Sequence, residues 1–210
     1  MDVSESLAEL LGGRRGALDA TAPPLAFAVA WLATGHSIAW GAAAAVTTAL
    51  LIGAWRLHRR DRVTAVAAST AAVAAAALIA LHTGHAADFF LIQLLSNVAS
   101  ALAWSVSILI RWPLLGVVVG LVLGQKTRWR RDPALLRAYG RASWVWVFGQ
   151  YTLRTAVFGL LWWTDNVVGL TIARVALSWP LVAAVLAASA VVLRKSLPEG
   201  HPGLRHPVPA

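Results

Sequence analysis

Basic residues fall in four clusters along this chain, and the apolar sequence between successive clusters is each time long enough for two membrane crossings. The clusters are Arg14-Arg15, Arg56 through Arg62, Lys126 through Arg141, and Arg194-Lys195. Arginine and lysine are retained on the cytoplasmic side during insertion, and a helix needs about 20 apolar residues to span a hydrocarbon core about 30 Å thick. The spacing therefore predicts a helical membrane protein with these clusters in the cytoplasm. Arg111, Arg154 and Arg174 break the pattern, because they fall at the end of or inside apolar segments. A guanidinium at depth costs about 2.5–3.5 kcal/mol even on insertion scales, so these three need partners, water or a ligand.

Composition supports the membrane reading and removes several functions. With 59% hydrophobic and 13% charged residues and a mean hydropathy of +0.68, the chain has too little polar surface to cover its apolar part in water. A net charge of +9 would suggest nucleic acid in a soluble protein. Here the basic residues flank apolar spans, which points to orientation and contact with anionic phospholipid headgroups of the bilayer, and no nucleic acid is expected. The absence of cysteine excludes disulfides, zinc thiolate centres and thiol catalysis.

The expected fold is all-α and polytopic, with about six transmembrane helices. Residues 1–20 read as a cytoplasmic N-terminus whose residues 4–11 form a short amphipathic helix, with Leu7, Leu10 and Leu11 on one face. Residues 21–196 read as a single helical membrane domain, and residues 197–210 as a disordered cytoplasmic tail. Within the membrane domain, Pro23-Pro24 opens a first apolar segment that ends near Thr34, and further segments follow at about 38–55, 63–81 and 88–110. Residues 114–123 are apolar but too few to cross, which predicts a short re-entrant or interfacial helix after the fourth span. Asp132-Pro133 has the form of an N-cap and first helical residue, opening a long fifth helix that ends around residues 164–166. The sixth segment is expected over about 168–193. Six crossings place both termini in the cytoplasm and the chain in the cell inner (cytoplasmic) membrane.

The fourth segment carries the clearest constellation. Gln93, Asn97, Ser100, Trp104, Ser107 and Arg111 recur at steps of four, three, four, three and four, which predicts one polar stripe along the helix. Ser143, Gln150 and Arg154 form a related line on the fifth helix, and Thr171, Arg174 and Ser178 on the sixth. Polar faces on three helices should avoid lipid and meet one another. For the hydroxyls and amides the plain reading is interhelical hydrogen bonding. The arginines admit two readings: pairing with carbonyls or with Asp88 and Asp165 at the outer helix ends, or neutralisation by an anionic ligand such as a lipid phosphate. The candidate polar cavity is therefore lined by Gln93, Asn97, Trp104, Arg111, Gln150, Arg154 and Arg174. His82, His85 and Asp88 are the right types for zinc, but no fourth ligand is evident and Gly84 interrupts a helix, so no metal site is assigned. The chain has no phosphate-binding glycine loop, zinc-protease motif or nucleophile elbow, and no acidic pair within a span. No catalytic residue or cofactor follows, and an enzyme is not the expected reading.

Several short runs carry a family resemblance: Pro24-Leu25-Ala26-Phe27, Ile38 through Ala43, Ile52 through Arg56, and Ser107 through Leu115. They resemble the actinobacterial multi-pass membrane proteins of the domain of unknown function 3159 family. More distantly, the short first hairpin and the helix ending in a basic-Pro-Leu step are similar to YciB-like inner-membrane septation proteins. The resemblance implies an inner-membrane role in cell-envelope maintenance or septation-related membrane organisation, with envelope-assembly membrane proteins as partners, and brings no catalytic residues. The alternative is a small transporter or lipid-handling protein that binds an anionic ligand in the polar cavity between helices four to six.

Overall fold

The computed structural model describes residues 13–198 and 200–204, and every element among them is helical. The amphipathic helix expected over residues 4–11 lies outside the described residues. The elements are α1 (Gly13–Ala33), α2 (Ile38–His58), α3 (Val63–Thr83), a 3-10 turn (Ala86–Phe90), α4 (Leu91–Leu109), α5 (Leu114–Val122), a second 3-10 turn (Arg128–Arg131), α6 (Pro133–Val145), a π-helical stretch (Trp146–Thr152), α7 (Leu153–Trp163), α8 (Val167–Ala176) and α9 (Trp179–Ser196). Four stretches are long and apolar enough to cross a membrane: Ile38–His58, Val63–Thr83, Ala86–Leu109 and Trp179–Ser196. They are compatible with a membrane protein. α5, with nine residues, reaches only about 14 Å.

Two boundaries differ from the sequence reading. Pro23-Pro24 does not open a helix, because α1 begins at Gly13 and runs through both prolines. Each proline removes one backbone donor, and the carbonyls of Asp19 and Ala20 are released from the α1 ladder in exchange. The expected sixth segment is not continuous: α8 stops at Ala176 and α9 starts at Trp179. Pro180 accounts for the break, since it has no N–H for the Ala176 carbonyl and its ring would strike that group. A proline in the first turn of α9 is well tolerated, because no intrahelical acceptor awaits its N–H there.

The chain divides into two compact units. One comprises Gly12–Ser96 and Ala156–Ser178. Its core is built on alanine: Ala42 and Ala45 of α2 and Ala76, Ala77 and Ala80 of α3 are buried, and such small side chains let helix backbones approach closely. Phe27 of α1 fills the remaining space, stacked on Phe89 at 4.2 Å and edge-on to Phe90 at 6.5 Å. Gly41 is required beside it, as a Cβ there would stand 3.1 Å from the Phe27 ring. The ends of this unit are tied by two carboxylates: Asp88 accepts from Trp162 Nε1 at 2.7 Å, and Asp165 accepts from the backbone N–H of Ala87 at 3.3 Å.

The other unit contains Asn97–Thr155 and the chain from Trp179 onward. Its centre is Trp129, fully buried in a slot made by Gly116 and Gly120 of α5 and packed edge-on to Tyr139 at 5.4 Å. Asp132 caps α6 by accepting from the backbone N–H groups of Ala134 and Leu135, and Pro133 occupies the first turn, in agreement with the sequence signal. Of the tail expected to be disordered, residues 201 and 204 make contacts with this unit, while residues 205–210 lie outside the described residues. His201 Nε2 lies 2.9 Å from the second oxygen of Asp132, and Gln125 donates to the Leu204 carbonyl at 2.7 Å.

Candidate functional site

Arg174 sits in the last turn of α8, where a cation also offsets the partial negative charge of a helix end. Its guanidinium is held by two neighbours in the same unit. Nη1 donates to Gln93 Oε1 of α4 at 2.6 Å, while Nε and Nη2 both donate to the Ala20 carbonyl of α1, at 3.3 and 2.9 Å. Ala20 lies four residues before Pro24, so its carbonyl has no backbone donor within α1. The proline thus supplies the acceptor that fixes the arginine. A guanidinium suits this arrangement because its donors lie in a rigid planar fork, whereas a lysine ammonium could not grip both partners in one plane.

Arg174, Gln93 and Ala20 line a cavity of about 290 Å³ within this unit. Its polar groups also include Asp19, Arg56, Ser69, Thr70 and Ser96, and its apolar wall is formed by residues such as Pro24, Ile52, Val73, Phe89 and Ile92. Arg56 is oriented by Asp61, which accepts from its Nε at 2.8 Å. The lining therefore contains two guanidiniums, one carboxylate, an amide and three hydroxyls beside an apolar surface. Such a site suits a phosphate or phosphodiester attached to something apolar.

Gln93 and Arg174 meet directly, while Asn97, Trp104, Arg111, Gln150 and Arg154 belong to the other unit. There, Trp104 stacks on Trp146 at 5.3 Å and lies 5.9 Å from the Tyr151 ring. Gln150 is buried within the π-helical stretch, Asn97 is buried on α4, and Arg154 is half-buried at the start of α7. Ser143 Oγ, Trp146 Nε1, Gln150 Oε1 and Ser189 Oγ are among the buried polar atoms of this unit that make no hydrogen bond among the described residues. A π-helical insertion forces an extra residue into the helix and is common at functional positions.

Arg111 does not continue the α4 stripe. Its φ of +55 places it in the left-handed region just past the helix end, and its side chain is exposed. The N–H groups of Arg111 and Trp112 return to the carbonyls of Ile108 and Ser107, which closes the helix in a Schellman motif. Asp88 and Asp165 each accept from a neutral donor at a helix end of their own unit. Asp88 is held by Trp162, His85 Nδ1 lies 3.1 Å from the Thr83 carbonyl, and no three metal-ligating side chains converge among the described residues.

Sequence reasoning missed Asp19, Arg56 and the Ala20 carbonyl. The signal for the last was present, because a proline within a helix frees the carbonyl four residues before it.

The profile of a family described as "Protein of unknown function (DUF3159)" matches residues 11–200. The chain belongs to this family. The matched region covers every helix described above, so both compact units are part of the DUF3159 architecture. No curated protein and no solved structure gave a match.

Proposed function

We propose that this DUF3159 chain is a multi-pass inner-membrane protein that handles a lipid, holding a phosphate-bearing headgroup in the cavity beside Arg174. The observation that carries the reading is the lining itself: a guanidinium locked by Gln93 and the Ala20 carbonyl in a cavity that hydroxyls and apolar side chains also line. A volume of about 290 Å³ suits a headgroup, while acyl chains would have to leave the cavity along the apolar helices. The bound phosphate would meet Arg174 and Arg56, and an amine-bearing headgroup would find Asp19.

In this reading the six crossings and the cytoplasmic termini that the basic clusters call for would be made by α1, α2, α3, α4, the α6–α7 run and the α8–α9 pair, with α2, α3, the Ala86–Leu109 stretch and α9 long and apolar enough to cross. α5 is then the re-entrant or interfacial piece. The interruption between α8 and α9, three residues after Arg174, supports a handling role, because discontinuous helices in membrane transporters line substrate sites. The wider reading, in which this binding serves cell-envelope maintenance, is part of the same proposal.

The test uses delipidated full-length protein in detergent, titrated with phosphatidylglycerol. A saturable rise in unfolding midpoint is expected for the native chain, and its loss is expected in Ala72→Phe, whose ring would enter the cavity that Ala72 lines. An equal rise in Ala72→Phe would remove the cavity from the account.

A further inference from the structure

A second place in the molecule has the chemistry of an anion site, and it lies wholly within the unit centred on Trp129. Arg111 and Arg137 line one notch of about 420 Å³, whose remaining walls are Ile108, Pro113, Pro133, Leu136 and the backbone of Gly140. Both arginines are exposed, and among the described residues no carboxylate lies within ion-pair distance of either. Arg137 is oriented rather than loose, since its Nε donates to the Pro133 carbonyl at 3.1 Å, a bond that does not use its two terminal nitrogens.

Two independent features of the backbone point to a ligand. Arg111 occupies the left-handed position of the Schellman motif, where glycine is favoured and a side chain is strained. Gly140 is the converse case. It lies inside α6, where glycine is a poor helix former, yet a Cβ placed on it meets nothing within 4 Å. Packing therefore gives no reason for a glycine at 140, and helix-end geometry gives none for an arginine at 111. Both choices make sense if the notch must stay open and carry two guanidiniums.

We propose that this notch binds an anionic phospholipid, with the phosphodiester held between Arg111 and Arg137 and the start of an acyl chain lying on Ile108 and Leu136. The apolar floor favours a lipid over a free phosphate, which would use the arginines alone. Trp112, next in sequence and covered by the Arg130 guanidinium at 3.8 Å, has the character of a residue that sits at headgroup level. The site is independent of the cavity at Arg174 and shares no residue with it.

The experiment counts tightly bound phosphatidylglycerol on full-length protein by native mass spectrometry, with phosphatidylcholine as the neutral comparison. Two variants remove the site without threatening the fold: Arg111→Gly combined with Arg137→Gln, in which glycine suits the left-handed position better, and Gly140→Leu, which fills the notch. Each should lower the affinity of one phosphatidylglycerol by at least about tenfold while Arg174→Gln leaves that lipid in place, and the unfolding midpoint of Arg111→Gly should equal or exceed that of the native chain. Undiminished binding of both lipids in either variant would overturn the proposal, as would equal affinity for phosphatidylcholine. Displacement of the lipid by millimolar inorganic phosphate as readily as by added lipid would overturn the lipid assignment. Loss of binding in Arg174→Gln alone would support the cavity and overturn the notch.

Discussion

Gly120→Ala and Gly140→Ala should have opposite effects, although both place a methyl group on a helix of the same unit. At Gly120 the new Cβ would stand 2.6 Å from Trp129 Nε1, 2.7 Å from its Cδ1 and 2.8 Å from the Lys126 carbonyl. Ordinary contact begins near 3.4 Å, so the indole must retreat by most of an ångström. It has nowhere to go, being fully buried against Tyr139 and bonded through Nε1 to Lys126 at 3.0 Å. Overpacking of this kind costs about 1–3 kcal/mol, and the disturbed hydrogen bond adds roughly 0.5–1.5 kcal/mol. Against this stands the helix propensity gained on replacing glycine, about 1 kcal/mol, which leaves a net loss of about 0.5–3.5 kcal/mol. At Gly140 nothing opposes the methyl group, so the propensity gain of up to about 1 kcal/mol remains. For a chain of this size the apparent midpoint should fall by roughly 1–14 °C in Gly120→Ala and rise by up to roughly 4 °C in Gly140→Ala. Intrinsic tryptophan fluorescence during thermal unfolding in detergent reads both. A Gly120→Ala protein as stable as the native chain would refute the Trp129 slot.

Three further outcomes follow from the same unit. Ser143→Ala should stabilise it, because the hydroxyl is buried without a partner among the described residues and such a group costs about 1–3 kcal/mol; a lower midpoint would show that the hydroxyl is bonded in the folded protein. Asp132→Ala should destabilise by about 0.5–2 kcal/mol through loss of the α6 cap alone, and should also release residues 197–204, read as new protease cleavage in that stretch; an unchanged cleavage pattern would show that the tail is not held by His201 and Asp132. Burial first, and the nearby Asp132 second, raise the Tyr139 pKa from its ordinary 10.0. Because the folded value is raised, the stability this residue contributes is present below pH 10 and is lost as pH climbs through the folded value, so Tyr139→Phe should lessen alkaline unfolding monitored by near-ultraviolet absorbance.

Legibility from sequence followed the range of the interactions. The second, third and fourth apolar segments coincide with long helices, because each is a run of apolar residues bounded by its own turn chemistry. The Asp132-Pro133 helix start was equally local, since a cap and a first-turn proline act on the next few backbone groups. Pro180 was legible but unread: a mean over an apolar stretch conceals the one residue that breaks its hydrogen-bond ladder. The polar stripe on the fourth segment identified Gln93 and Asn97, but it could not reveal which helices they face. Gln93 meets an Arg174 that also grips the carbonyl Pro24 frees on a third helix. The slot for Trp129 had a local sign in the Gly116-Gly120 spacing, yet the residue that fills it comes from the basic loop, where charge dominates the pattern. Arg111 was assigned to the stripe by spacing alone, whereas a local turn closed by the Ile108 and Ser107 carbonyls just before Pro113 takes it out of the helix.

The central claim is that Arg174 and the cavity it borders hold a lipid headgroup. It is tested most directly by purifying native and Arg174→Gln protein under the same mild detergent conditions and quantifying the phospholipid that remains bound to each folded monomer. The account predicts that Arg174→Gln stays folded and loses one phosphate-bearing lipid that the native protein retains. Equal retention in the two folded proteins would contradict it.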